Sequence, residues 1–187
     1  MFIPAVRKTI LWTMAAALMG GLSLATPEAC GEEGEQQDSV QVMNLLKEAR
    51  SEAGRLQVET EKLESYKSGR LSRVTHGRQL EVTKDHVNEL GKILDKLEAR
   101  KAEASPWQQK AIEQMRPMLE ELADRTTRAI EHVNENPHLV RHADYHELLT
   151  DKSALSAQLA DLLDDHVKYG ETKAELEELE SKVSPLS

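Results

Sequence analysis

Apolar side chains recur every three or four positions from residue 39 to residue 183, and no run of alternating polar and apolar residues persists. This spacing gathers the apolar groups on one face of an α-helix, so the chain is expected to be all-α. The first tract runs from Ser39 to Ala104 without a proline. Its early seam is Val42, Leu46, Ala49, Ala53, Leu56 and Leu63, and its later seam is Leu80, Thr83, Val87, Leu90, Leu94 and Leu97. The two seams are out of phase by one heptad position, and the slip falls near Thr75-His76-Gly77. A glycine there weakens a helix by ~1 kcal/mol relative to alanine. An unbroken helix of this length would span about 100 Å. A bend or break is therefore expected between Ser68 and Gln79.

Ser105-Pro106-Trp107-Gln108 combines a capping box with proline at the first helical position, which starts a new helix and reverses the chain. That helix is expected to reach Glu135 with a seam of Ala111, Met115, Met118, Leu122, Thr126, Ala129 and Val133, and to kink at Pro117. Asn134-Glu135-Asn136-Pro137 stops it. A last helix should run from His138 to Lys182 on a seam of Leu155, Leu159, Leu162, His166, Tyr169, Leu176 and Val183, before Ser184-Pro185. Tracts joined by short turns bury their seams by packing antiparallel. The expected fold is an elongated antiparallel helical bundle or hairpin with coiled-coil-like seams. It would hold three long helices, or four if the first tract breaks near Gly77.

Composition narrows the core. Charged residues make up 30% of the chain and aromatics 3%, so narrow seams of Leu, Ala, Val and Ile must hold it together. Residues 1–25 read as an export signal: Arg7 and Lys8 precede an uncharged run from Ile10 to Leu24, and Ser23-Leu24-Ala25 offers small residues at the cleavage positions. The run is shorter than the ~20 residues a membrane span requires. Residues 26–38 form an acidic spacer without apolar pattern, residues 39–183 the bundle and residues 184–187 a tail. The chain is thus expected to be exported to a periplasmic or extracellular space, touching a membrane only through an uncleaved or lipidated leader. Cys30 is the single cysteine; Ala29 and Gly31 fit a lipoprotein signal while Pro27 and Glu28 break it, and lipidation or an intermolecular disulfide are the two candidate uses of its thiol.

The formal net charge is −9, and loss of Arg7 and Lys8 with the leader takes it to −11. That sign disfavours nucleic acid and anionic lipid as partners. The basic residues Lys67, Arg70, Arg73 and Arg78 cluster around the expected bend, and Glu171, Glu175, Glu177, Glu178 and Glu180 crowd the far end of the last helix. The two groups are expected to attract each other, within one bundle or between copies.

Candidate chemistry is sparse. His138, His142 and His146 stand four residues apart on the last helix, where one pair could share a divalent transition metal while the third lies ~12 Å along. Asp85, His86 and Glu89, and Asp164, Asp165 and His166, are further groups. Glu135 and His138 make a single Glu-x-x-His, interrupted by Pro137, where di-metal bundles use two. No nucleophile elbow, phosphate loop or haem motif is present. Leu149-Thr150-Asp151-Lys152-Ser153 matches the L-T-x-x-Q motif of envelope-stress hairpins only in its first two residues, so no family is identified. The expectation is a non-enzyme without a required cofactor: an exported interaction or self-association module of the cell envelope, with a protein partner or a second copy. The alternative is a metal- or pH-responsive hairpin using the histidine row.

Overall fold

A computed structural model describes residues 38–68, 72–135 and 142–183. These residues form four α-helices and no strand: α1 (Val40–Ser65), α2 (Arg73–Ala99), α3 (Pro106–Glu135) and α4 (Ala143–Val183). The all-α bundle is as expected, in its four-helix form.

The first tract does break, but ahead of Gly77. Helix α1 ends at Ser65 in a short 3₁₀ turn over Tyr66–Ser68, and α2 begins at Arg73. Ser72 caps α2, its Oγ accepting from the Thr75 amide at 3.3 Å. A serine cap is worth ~1 kcal/mol and fixes a helix start. Thr75, His76 and Gly77 therefore lie inside α2, where the modest penalty of one glycine is absorbed. The other expected start is half built. The Gln108 carboxamide oxygen accepts from the Ser105 amide at 3.1 Å, as a capping box requires, but the buried Ser105 hydroxyl has no partner. Gln108 spends its remaining capacity on α1. It accepts from Ser39 N at 3.1 Å and donates to Ser39 O at 3.0 Å, stapling the starts of α1 and α3. Helix α3 runs through Pro117, which lies on an exposed face.

Helix α1 packs against α2 and α4, and α3 packs against the same two. Pairs such as Lys96–Glu48, Arg116–Glu98 at 2.6 Å, Arg125–Asp151 at 2.5 Å and Lys47–Glu171 at 2.9 Å show that all four neighbouring contacts are antiparallel. Across the bundle axis the register is uniform. Asp38–Trp107, Ser39–Gln108, His76–Tyr145 and Thr83–Lys152 are each hydrogen bonded, and each pair is 69 positions apart. The hairpin of α1 and α2 thus faces the hairpin of α3 and α4 in matched register.

The expected seams of α1, α2 and α3 are the buried faces, apart from half-buried Met118. That of α4 is displaced. Its core face carries Tyr145, Leu149, Lys152, Ser156, Leu159, Leu163, Val167 and Gly170. Of the expected seam only Leu159 is buried, while Leu155, Leu162 and His166 are half-buried and Tyr169, Leu176 and Val183 are exposed. Leucines stand on both faces of this helix, and spacing alone does not rank them.

Gly170 closes the core at one end because the Trp107 indole fills the space beside it. A Cβ there would lie 2.6 and 2.8 Å from ring carbons Cη2 and Cζ2. Trp107 is pinned by donating Nε1–H to Asp38 at 2.7 Å. At Gly77, in contrast, nothing lies within 4 Å of an added Cβ. Gly77→Ala should therefore stabilise the protein by about 0.5–1 kcal/mol. Gly170→Ala should destabilise it by about 1 kcal/mol, since displacing the indole outweighs the same helix gain. Denaturant midpoints of opposite sign check this; a stabilising Gly170→Ala would show that the indole is not wedged.

Candidate functional site

The residues singled out in the sequence are not gathered into one place. His138 and Arg70 lie outside the described residues, as does Cys30. His142 is exposed, its Nδ1 3.5 Å from the Asp144 carboxylate. His146 is half-buried, its ring centroid 6.5 Å from that of Tyr145. Among the described residues no group of three or more His, Cys, Asp or Glu side chains could hold a metal ion. Lys67 pairs with Glu64 at 2.7 Å and donates to the Thr150 hydroxyl, joining the end of α1 to α4. Arg73 donates Nε–H to the Val133 carbonyl at 2.9 Å, joining α2 to the end of α3, and Arg78 is exposed. Two of these basic residues are thus stays between helices. The basic end of the bundle holds the start of α4, and the acidic stretch lies at the opposite end of that helix. Attraction within one bundle is therefore ruled out by distance, roughly 30 Å along α4 from Thr150 to Glu171.

What the fold does bring together is a polar layer through the core. The Lys152 side chain is 0% exposed, and its Nζ donates to Thr83 Oγ1 at 2.5 Å. The hydroxyls of Thr60 and Ser156 meet at 2.5 Å beside it. One heptad from Lys152 and Thr83, Tyr145 and His76 meet at 3.1 Å through the phenol oxygen and Nδ1. His76 is also edge-on to Tyr66, and Tyr145 stacks on His132 with centroids 5.1 Å apart. This layer divides the apolar interior into a large cluster from Val42 to Val167 and a small one of Leu63, Leu80, Ala129, Val133, Tyr145 and Leu149.

The electrostatics follow from burial. Burial pushes the Lys152 amine down to about 7, with no charged partner offsetting it. Burial, and then the nearby His146, hold the His76 imidazole below its usual value, while burial raises the Tyr145 phenol. The preferred state is therefore a neutral imidazole beside a protonated phenol, which can donate to Nδ1. None of this was legible from residue types. The available signal was periodic: His76 and Thr83 on α2, and Tyr145 and Lys152 on α4, are each seven residues apart.

A depressed amine means that folding disfavours the charged form. Its neutral form carries no such penalty above the ordinary lysine value of 10.5, and stability is lost as pH falls from there to about 7. Replacing Lys152 with Met should therefore stabilise the protein at pH 7, by roughly 1–3 kcal/mol. The gain should shrink as pH rises towards 10.5. Urea titrations at several pH values check this, and a gain independent of pH would remove the lysine's charge from the explanation.

The remaining feature is an uncovered surface. Helix α4 has 41 residues, against 26 in α1 and 30 in α3, and every side chain from Ala174 to Val183 is exposed. Leu155, Leu162, Tyr169, Leu176 and Val183 stand at strict seven-residue intervals along one line of the helix. Leu155 and Leu162 pack against the core, and Tyr169 meets Trp107 edge-on at 5.4 Å. Beyond that point the line is bare: Leu176 is 55% and Val183 66% exposed, and Leu179, one turn on from Leu176, is 58% exposed. A cleft of about 340 Å³ opens beside it, lined by Asp38, Met43, Lys47, Trp107, Gly170 and Glu171 among others. No described helix is long and apolar enough to cross a membrane. Comparison with protein-family models, with curated proteins and with solved structures found no match.

Proposed function

We propose that this chain is an exported, non-catalytic helical module whose bundle serves as a rigid base for the free end of α4, the element that binds another helix. The observation that carries this reading is the bare line of Leu176, Leu179 and Val183 on a helix held rigidly by its first seven turns. Scattered surface leucines are ordinary, but three at heptad spacing on one projecting helix match what a helix-in-groove or coiled-coil partner engages. Charged residues around the stripe keep it soluble while it is unpartnered. Export rests on the leader of residues 1–25, with its basic start and small-residue cleavage positions.

Substituting Leu176→Glu together with Leu179→Glu in the full chain tests this. Both side chains are exposed, so the unfolding free energy should stay within about 0.5 kcal/mol of the parent. Short-range cross-linking in intact producing cells should yield adducts with the parent and lose them with the double variant. Equal adduct formation by both would discard the α4 end as the binding element. Recovery of the protein solely from the cytoplasm, with residues 1–25 intact, would discard export.

A further inference from the structure

The flanks of the bare line determine what fits it. Taking Tyr169, Leu176 and Val183 as the first position of each heptad, Leu179 and the small Thr172 occupy the fourth and complete the seam. The positions beside the seam are Lys173 and Glu180 on one flank and Glu175 and Lys182 on the other. Each flank therefore carries one acid and one base. In an antiparallel pair of helices each flank meets its own counterpart, whereas in a parallel pair each meets the opposite flank.

We propose that the α4 end pairs antiparallel with the α4 end of a second copy, making a two-fold dimer; this rests on the α4 end being the binding element. In that arrangement Glu175 faces Lys182 of the second copy, and Lys182 faces its Glu175. Lys173 and Glu180 meet across the other flank in the same way. Leu176 of each copy packs beside Leu179 of the other, giving four leucines at the centre, and Val183 closes against Thr172 at each edge. The parallel alternative sets Glu175 opposite Glu180 twice and gains no compensating pair. Like charges opposite one another disfavour it. A foreign partner would have no reason to share this alternation of sign, whereas a second copy supplies it by symmetry.

Lys182 stays solvated in the single copy, whereas Lys173 is held half-buried against the bundle. Lys182 reaches Glu178 at 2.5 Å, with both side chains about two-thirds exposed. Lys173 lies 3.4 Å from Asp38 and 3.7 Å from Glu177. The exposed Lys182–Glu178 pair is weak, so exchanging Glu178 for Glu175 of the second copy meets little resistance. Two heptads of seam form a small interface, and the dimer is accordingly weak and dependent on concentration.

The test uses the full mature chain carrying Cys30→Ser, which removes thiol-linked dimers. Sedimentation should show the mass rising from one chain towards two with concentration. Glu175→Lys alone and Lys182→Glu alone each place like charges across the seam twice, and should weaken self-association about tenfold. Mixing these two variants in equal amounts should restore the parent affinity, because each supplies the charge that the other lacks. For orientation, Thr172→Cys and Val183→Cys chains should cross-link to each other under mild oxidation and neither to itself. Self-linking of Val183→Cys would establish a parallel pair and overturn the proposal, as would a mixture no tighter than its components. A protein that stays monomeric at every concentration while its Leu176→Glu/Leu179→Glu variant still loses adducts in cells overturns the dimer and leaves the interaction reading standing.

Discussion

The bundle depends on one register, in which each hairpin faces the other with residues 69 positions apart meeting across the axis. Two of these pairings, His76–Tyr145 and Thr83–Lys152, are successive heptad rungs of α2 against α4. Their polar atoms are buried and satisfied only in this alignment. A slip of one heptad would bring the Lys152 amine level with Leu90 and take the His76 ring away from the Tyr145 hydroxyl. An unpaired polar group in the core is far more costly than a mispaired leucine. A lysine that lowers stability thereby also narrows the alternatives, which is the best-attested use of a buried polar group in helical assemblies.

The same layer sets where the molecule is strong. On one side lies a continuous cluster contributed by all four helices, closed by the Trp107 indole against Gly170 and by the Gln108 clasp on Ser39. On the other lies a smaller cluster whose Tyr145 is bordered by three histidines, His76, His132 and His146. This half buries fewer apolar groups, and burial of the His76 imidazole disfavours its charged form, so charging it as pH falls below the ordinary histidine range costs stability there. The large half is the one that anchors the exposed end of α4.

Helix α4 serves two masters through a geometric mismatch. A straight helix turns 3.6 residues per turn, so a strict seven-residue line drifts ~20° per heptad around its axis. Leu155 and Leu162 start that line at the edge of the core and Tyr169 lies further out, while Leu176 and Val183 fall where α4 runs past its neighbours and every side chain is exposed. The core face follows its own course through Leu159, Leu163 and Val167 and ends at Gly170. One helix can therefore complete its own bundle and still present an apolar stripe beyond it.

Much of this was determined by the sequence itself. Helical class, the seams of α1 to α3, the start of α3 at Pro106 and the acidic far end of α4 follow from local spacing and cap chemistry, which act within a few residues. Ser72, the cap that begins α2, is an equally local signal. Tertiary structure decided which of two leucine faces on α4 is the core. It also buried Lys152 beside Thr83, enclosed His76 between two tyrosines, and turned Lys67 and Arg73 from an open patch into stays between helices. These outcomes depend on which residues of distant segments come level with one another. That alignment is a property of the packed helices together, and no single stretch of chain contains it.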